Sequence, residues 1–170
     1  MQLWMLPMLV VSVALTGCDA AAPKNPASSH TSGQANEPTP APPTAAGKPR
    51  LVVGAVPVAA FVAEQQLASP GRKTVVYVGA SWCEPCQRFH RALEKGELDA
   101  ALQGVRFIDY DYDQSKAALE ADGYSSRLIP LFALPAADGR SSGHSIEGSI
   151  KGEGAVDNIV PRLRALLTTP

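Results

Sequence analysis

Hydrophobic and polar residues alternate in blocks along the chain, and each block predicts one strand or one helix. Residues 74–79 form a continuous apolar run, which is typical of a central strand buried on both faces. A helical pattern follows from residue 83 to about residue 102, with Phe89 and Leu93 on one face and a break expected near Gly96. The remaining predicted strands cover residues 51–53, 105–110, 131–134 and 144–150, and the remaining predicted helices cover residues 56–68, 115–121 and 156–167.

Capping residues and one proline refine two of these helices. The helix at residues 115–121 is expected to take its N-cap from residues 113–115, which read Asp-Gln-Ser. The last helix contains Pro161, and a proline is tolerated in the first turn of a helix but not in its interior. The last helix is therefore expected to begin late, near Asp157 or Asn158.

The first fifty residues follow a different pattern. Residues 3–15 are mostly apolar, but this run is short for a membrane span and ends at Leu15-Thr16-Gly17-Cys18. Residues 19–49 are rich in proline, alanine, serine and threonine and have no large apolar side chain. Such a segment cannot bury enough surface to offset the entropy lost on ordering, so it is predicted to be a disordered tether. The folded domain is predicted to cover residues 50–170.

Composition narrows the classes of function. A length of 170 residues favours a single domain, and a formal net charge of −1 gives no sign of a nucleic-acid partner. The chain has three cysteines. Cys83 and Cys86 are separated by two residues, whereas Cys18 lies at the end of the first apolar run. The cysteines of the close pair are therefore the first candidates for chemistry.

The string Trp82-Cys83-Glu84-Pro85-Cys86 lies between the predicted central strand and the helix that follows it. Cys83 is expected at the N-terminus of that helix, where unpaired backbone N–H groups and the positive end of the dipole favour a thiolate. An accessible thiolate there attacks a disulfide sulfur and forms a mixed disulfide, which the more buried Cys86, one turn into the helix, then resolves. Pro85 fits the first turn because it has no N–H to lose there.

Two cysteines at this spacing also form half of a zinc site, which needs two further ligands. His90 follows Cys86 by four residues and is able to share its helix face, although solvent is the expected environment of its side chain. Cys18 is distant in the chain, and no fourth ligand is evident. No metal ion is therefore expected.

Residues from about 56 to 168 resemble the thioredoxin superfamily, and their pattern is most similar to the exported TlpA/ResA-like proteins of bacteria. The WCxxC motif is one signature, and Ile129-Pro130, in front of the last two predicted strands, is the second. The resemblance implies an α/β thioredoxin-like fold, in which helices flank both faces of a central mixed sheet. It also implies a redox-active Cys83–Cys86 disulfide with no other cofactor, a motif shaped by Trp82, and a cis Pro130 that forms the wall facing the substrate.

One position departs from the thioredoxin pattern. Thioredoxins proper carry a buried aspartate six residues before the first cysteine, and this acid relays a proton to the resolving thiol. Tyr77 lies at this position. A phenol with a pKa near ~10 is a poor base at neutral pH, so Tyr77 is expected to serve core packing. Glu84 and Asp109 are the candidate replacement acids, with a solvated surface carboxylate as the simpler expectation for each.

The string Leu15-Thr16-Gly17-Cys18 resembles the lipobox of bacterial lipoproteins. This resemblance implies a signal peptide over residues 1–17, cleavage before Cys18, and a diacylglycerol on the Cys18 thiol, with residues 18–49 as the lipidated tether. Asp19 resembles the signal that retains many Gram-negative lipoproteins in the inner membrane, so the inner membrane is favoured over the outer. An unlipidated signal peptide and an N-terminal anchor helix are the alternatives.

The sequence therefore predicts a lipid-anchored, periplasm-facing thiol–disulfide oxidoreductase of the cell envelope, with a reductase favoured over an oxidant. Exported compartments are oxidising, so a reductase needs a membrane electron donor, and its partners are disulfide-bearing or thiol proteins of the envelope. Two alternatives stay open. One is a thiol reductase dedicated to cytochrome c maturation, which the WCEPC string and the tether resemble. The other is a copper or metal chaperone that uses the two cysteines as soft ligands.

Overall fold

A five-stranded mixed sheet forms the centre of the fold. The computed structural model describes residues 47–170, so the predicted signal peptide, Cys18 and most of the predicted tether lie outside the described residues. In chain order the elements are β1 (Arg50–Val53), α1 (Val58–Leu67), β2 (Lys73–Gly79), α2 (Glu84–Glu94), β3 (Val105–Asp111), α3 (Tyr112–Ala121), β4 (Leu131–Pro135), β5 (Ser141–Glu147) and α4 (Ala155–Leu167). The strand order is β1-β3-β2-β4-β5, in which β1, β3 and β2 are parallel, while β4 is antiparallel to β2 and β5 is antiparallel to β4.

The central strand β2 is buried on both faces, as its continuous apolar run predicts. Val75 and Tyr77 belong to one core cluster, which also contains residues of α2 and α4. Val76 and Val78 belong to the other cluster, which contains residues of α1 and α3. Helices therefore cover both faces of the mixed sheet, and the predicted α/β thioredoxin-like fold is confirmed.

Aromatic packing fixes helix α2 against the sheet. The centroid of the Phe89 ring lies 4.8 Å from that of Phe132 and 5.5 Å from those of Phe107 and Tyr77. All four side chains are buried. Aromatic pairs at such distances contribute about 0.5–1.5 kcal/mol each beyond the area that they bury. The helix that follows the cysteine motif is therefore anchored by the core.

Helix α3 and strand β5 each begin three residues earlier than predicted. The N-cap of α3 is Asp111, whose carboxylate accepts a hydrogen bond from the Gln114 N–H at 3.1 Å. The predicted cap at residues 113–115 is wrong because the last residue of β3 also caps the helix. Strand β5 begins at Ser141 because it is an edge strand, in which polar residues pair through the backbone while their side chains face solvent.

Two helices show how glycine and proline affect helix length. Helix α2 ends at Glu94, which confirms the predicted break near Gly96, but residues 97–102 form turns, so the predicted helical continuation to residue 102 is wrong. Helix α4 begins at Ala155, whose side chain is fully buried. Pro161 therefore lies in the interior of the helix, and the predicted late start is wrong. The Pro161 ring is exposed, and burial along the opposite face of α4 outweighs the missing hydrogen bond. Within residues 47–170, none of the helices has the length and apolar character needed to cross a membrane.

Helix α1 is fixed at its N-terminus by two segments that are distant in the sequence. Its N-cap, Pro57, provides no side-chain cap, and the Ala59 N–H instead donates to the Asp122 carboxylate at 2.9 Å. Gly139, with a φ of 79°, packs against the same turn, and the Tyr124 hydroxyl donates to its carbonyl at 2.7 Å. The approach is so close that a Cβ at position 139 would lie 2.0 Å from the Ala59 carbonyl oxygen. This position therefore requires glycine.

The segment before β1 contacts the rest of the domain. The Gly104 N–H donates to the Gly47 carbonyl at 2.8 Å. The Lys48 ammonium lies 2.7 Å from the Asp99 carboxylate, and the Arg72 guanidinium donates to the Lys48 carbonyl at 3.0 Å. The last residues of the predicted tether are thus bound to the folded domain.

Candidate functional site

The two cysteines of the motif lie at the junction of β2 and α2. Cys83 is the N-cap of α2, and its sulfur accepts a hydrogen bond from the Cys86 N–H at 3.3 Å. This N–H is one of those that the start of a helix leaves without a backbone partner. Pro85 lies in the first turn, as predicted, and loses no hydrogen bond there. The start of the helix therefore points an N–H at the Cys83 sulfur, which favours a thiolate once the pair is reduced.

Cys83 and Cys86 are joined in a disulfide, with an S–S length of 2.03 Å and Cα atoms 5.2 Å apart. Only 5% of Cys83 and 2% of Cys86 is exposed. The expected contrast between an accessible Cys83 and a buried Cys86 is small in this oxidised form, because each sulfur covers part of the other. The two cysteines differ in their position relative to α2, because Cys83 precedes the helix and Cys86 lies within it.

Trp82, directly before the disulfide, lies on the surface and is 62% exposed. Its indole N–H donates to the Asp113 carboxylate of α3 at 2.8 Å. This hydrogen bond links the residue next to Cys83 to a helix that packs on the opposite face of the sheet.

Glu84 is the first residue of α2 and lies at the surface. Its carboxylate pairs with Arg88, one turn later, and accepts a hydrogen bond from the Gly152 N–H at 3.1 Å. The hydrogen bond from Arg88, with a smaller contribution from Gly152, holds the pKa of Glu84 below its ordinary value. Glu84 is therefore an ionised residue that links α2 to the loop before α4, and it does not line the cavity next to Cys86.

The Ile129–Pro130 peptide bond is cis, as the resemblance implies. Pro130 is buried, and its carbonyl accepts a hydrogen bond from the Gly148 N–H at 2.9 Å. Ile129 packs against the core cluster that contains both cysteines, and Leu128 beside it is exposed. The loop before β4 is thus packed against the same core cluster as the two cysteines.

A cavity of about 510 Å³ lies beside Cys86. It is bounded by α2, by the carboxyl ends of β2 and β3, and by the first turn of α3. His90 and Asp109 meet in it, with His90 Nε2 3.6 Å from Asp109 Oδ2. Its other polar lining residues include Tyr77, Gln87, Arg91 and Asp111. Cys86 therefore lies against a chamber, lined by both polar and apolar side chains, that also contains a histidine and a carboxylate.

Asp109 is only partly exposed, at the end of β3. Burial raises the pKa of its carboxyl above the ordinary value; His90 opposes this effect and Asp111 reinforces it. Of the two candidate replacement acids, Asp109 is thus the one that lines the cavity next to Cys86.

Tyr77 is fully buried, and its ring packs against Phe89, Phe132 and His90, as expected for a core residue. The residue borders the same cavity, and its buried hydroxyl has no hydrogen-bond partner among the described residues. Burial, reinforced by Asp109, raises the pKa of Tyr77, so the phenol stays protonated. The expected role in core packing is confirmed.

His90 is only partly in the solvent environment expected for it. Its side chain is 33% exposed and contacts Tyr77 and Asp109. The available signal was its position four residues after Cys86, which places both on one face of α2. Across residues 47–170, no group of three or more histidine, cysteine, aspartate or glutamate side chains is arranged to hold a metal ion.

The solved structures that are similar to this chain include two thioredoxins and a protein called Trxlp. A mutant thioredoxin from Halobacterium salinarum is 20% identical, with 66% of this chain and 88% of that protein covered and a TM-score of 0.40. Trxlp from Edwardsiella tarda is 23% identical, with 70% and 99% covered and a TM-score of 0.41. A poplar thioredoxin h is 16% identical, with 73% and 100% covered and a TM-score of 0.43.

No protein-family model matches the chain, and no curated protein sequence matches it either. At the identities and TM-scores of the structural neighbours, function has to be inferred from the site itself.

Proposed function

We propose that the protein is a thiol–disulfide oxidoreductase of the cell envelope, tethered to a membrane and acting as a reductase of disulfides in envelope proteins. One observation carries the proposal: Cys83 caps α2, its sulfur receives the Cys86 N–H, and it forms a disulfide with Cys86. Residues 83–86 thus supply both sulfurs that the reaction needs. Cys83 is a nucleophile favoured as a thiolate, and Cys86 is a thiol close enough to resolve the mixed disulfide.

The reductive reaction uses both sulfurs in turn. The Cys83 thiolate attacks one sulfur of a substrate disulfide, so that a Cys83–substrate bond forms while the substrate S–S bond breaks. The second substrate sulfur leaves as a thiolate and takes up a proton. The Cys86 sulfur then attacks the Cys83 sulfur, which releases the remaining substrate thiol and forms the Cys83–Cys86 disulfide. Two electrons pass from the cysteine pair to the substrate.

The direction of electron transfer follows from the proposed compartment. An exported compartment is oxidising, so a membrane electron donor has to return the pair to the dithiol form. The resemblance to TlpA/ResA-like proteins supports a reductase. A reduction potential near ~−270 mV, the value for thioredoxin, would support this direction, whereas a value near ~−120 mV would indicate an oxidant.

The reduced full-length chain is expected to reduce a protein disulfide catalytically when a chemical reductant regenerates it. The rate of substrate reduction, measured against protein concentration, tests this expectation, and Cys83→Ala is the control because it removes the nucleophile. A chain that shows no exchange and instead binds one copper(I) tightly would overturn the proposal in favour of a metal chaperone.

The proposed tether is the lipid on Cys18. Because Leu15-Thr16-Gly17-Cys18 resembles a lipobox, the mature chain is expected to begin at a lipidated Cys18 and to partition with membranes. Cys18→Ser should block processing or release the protein from the membrane fraction. Mass spectrometry of the N-terminal peptide checks this result, since an unmodified Cys18 or an intact Met1 would contradict it. Asp19 leads us to expect the inner membrane when the membranes are separated.

A further inference from the structure

We propose that the end of the domain where the tether enters docks on an anionic membrane surface, through a cluster of basic residues that we call the basic end. Its members are Lys48, Arg50, Arg72, Lys73 and Arg106. The groups that it binds are the phosphates of anionic lipids. The proposal rests on the proposed membrane tether, and it does not depend on the exchange reaction of the cysteines.

Strand pairing brings the members of the basic end together. Arg50 begins β1 and is the register partner of Arg106 in β3. Lys73 begins β2, which pairs with β3 from its first residue. The Arg72 guanidinium donates to the Lys48 carbonyl at 3.0 Å, so these two residues are held beside the start of β2. Because the three strands are parallel, all these side chains lie at the amino ends of the strands.

Most of the positive charge at the basic end has no acidic partner. Among residues 47–170, Lys48 is the only member with a carboxylate within ion-pair distance, and its ammonium lies 2.7 Å from Asp99. Arg72 and Lys73 donate to backbone carbonyls, which carry no net charge. The members that are exposed or partly exposed are Lys48, Arg50, Arg72 and Lys73. These cations are therefore accessible to anionic groups outside the protein.

Arg106 adds charge from beneath this surface. It is only 9% exposed, and its guanidinium donates to the backbone and side-chain oxygens of Gln65, near the end of α1. Burial lowers the pKa of Arg106, and the charges of Arg72 and Arg50 lower it further, so the three guanidinium groups lie close enough to repel one another. Anions bound by the accessible members would reduce this repulsion.

Two further features favour a membrane over an acidic protein as the occupant. The last residues of the proposed tether, from Gly47, are bound at the basic end, so the tether reaches the domain at this point. Leu67, the last residue of α1, is 83% exposed, and the bond from Arg106 to Gln65 places this end of α1 beside the cluster. An exposed apolar side chain among cations suits the interface of an anionic bilayer.

The disulfide lies at the opposite end of the sheet. Strand β2 runs from the basic end to Gly79, just before the cysteine motif, and at about 3.3 Å per residue it separates the two ends by about 20 Å. Strand β3 ends in Asp111, and Asp113 follows in the first turn of α3. An anionic membrane repels these carboxylates while it attracts the basic end. Docking therefore directs the disulfide away from the membrane, toward the proposed substrates.

A weak attraction is enough for docking because the proposed lipid anchor already holds the domain near the membrane. Each basic side chain near an anionic surface strengthens binding about fivefold, and four such side chains strengthen it about 10²–10³-fold. A flexible linker gives a tethered domain an effective concentration on the order of mM. We therefore expect reversible docking that weakens as salt is added.

Fluorescence quenching in reconstituted vesicles tests the orientation. The mature lipidated chain has Trp82 as its only tryptophan, since Trp4 lies in the proposed signal peptide. Leu67→Trp adds one at the basic end, and the difference between this variant and the wild type reports on position 67. With a headgroup quencher in vesicles of equal parts phosphatidylcholine and phosphatidylglycerol, position 67 should be quenched and Trp82 should not. Phosphatidylcholine alone, or high salt, should leave both unquenched.

Arg50→Glu, introduced together with Leu67→Trp, tests the charge. Among residues 47–170 the Arg50 side chain forms no hydrogen bond or ion pair, so this substitution should leave the fold intact. It changes the charge by two, so the docking equilibrium constant should fall about 25-fold. Arg127→Glu is the matched control, because it makes the same change at an exposed residue in the loop before β4, at the disulfide end. Docking should be unchanged in the control.

Equal quenching of position 67 in Arg50→Glu and Arg127→Glu, or quenching of Trp82 in the wild type, would overturn the assignment of the basic end. Absence of quenching at position 67 in anionic vesicles would also overturn the proposal, and binding of poly-glutamate would then indicate an acidic protein as the occupant. A chain that carries no lipid would reject the proposed tether. Titration of that full-length chain with the same vesicles still decides the docking, because Arg50→Glu and Arg127→Glu must then differ by the same factor.

Discussion

Alanine in place of Cys86 is expected to leave the protein covalently trapped on its substrates as a stable mixed disulfide. The variant keeps Cys83 at the helix N-cap and keeps the backbone N–H of residue 86, so attack is retained. The resolving sulfur is absent, so the mixed disulfide persists. Alanine in place of Cys83 should abolish trapping and reduce turnover to the uncatalysed rate. Non-reducing electrophoresis of the two variants, followed by mass spectrometry of the trapped partners, measures both results.

Cys83→Ala serves as the matched control, because it removes one sulfur from the same pair. Equal trapping through either cysteine would contradict the assigned roles. A Cys83 thiol that titrates at or above ~8.5, the value for a free thiol, would contradict the contribution of the helix start. The identity of the trapped partners bears on the substrate: an apocytochrome would support the role in cytochrome c maturation, and a range of envelope proteins would support the broader reductase.

Gly139→Ala is expected to lower the free energy of unfolding by about 3–5 kcal/mol, one of the larger losses open to a single substitution. The new Cβ would lie 2.0 Å from the Ala59 carbonyl oxygen and 2.8 Å from the Ala63 nitrogen. Both atoms belong to the backbone of α1, so neither is able to rotate away. Urea unfolding of the wild type and the variant, both in the oxidised form, measures the difference.

Gly143→Ala isolates the cause of this loss. Gly143 has a φ of 85°, close to the 79° of Gly139, but a Cβ there would meet nothing within 4 Å. Its substitution should therefore cost only the left-handed backbone penalty, about 1–2 kcal/mol. Equal losses at the two positions would show that backbone conformation, and not packing of α1 on Gly139, accounts for the requirement for glycine.

The reactive part of the site was predictable because its determinants are local in the chain. The apolar run of β2 and the helical pattern after it place Cys83 at the start of a helix, and Pro85 is compatible with that start. The boundaries of α3 and β5 were misplaced because they depend on Asp111, which both ends a strand and caps a helix, and on the pairing of an edge strand. Neither cause is visible in hydrophobic periodicity.

The chamber behind Cys86 was only partly predictable. Asp109 is a candidate acid on the sequence alone, because Tyr77 replaces the aspartate that the thioredoxin resemblance implies. Its proximity to Tyr77 depends on the register between β2 and β3, and that register follows from how the two strands pack together. The position of His90 depends on the rotation of α2, which the aromatic cluster around Phe89 sets. Interactions of this kind arise only when the elements assemble.

The disulfide joins residues only three positions apart in the chain, and this short span has a consequence for turnover. Closing so small a loop removes less conformational entropy from the unfolded chain than closing a long one. By this effect the disulfide contributes about 2 kcal/mol to the free energy of unfolding. The sheet and α2 are joined instead by the rings of Phe89, Phe107 and Phe132, which are present whether the sulfurs are bonded or free. Opening and closing the S–S bond is then a local event within a domain that stays folded, so the proposed electron donor and the proposed substrate would meet the same surface.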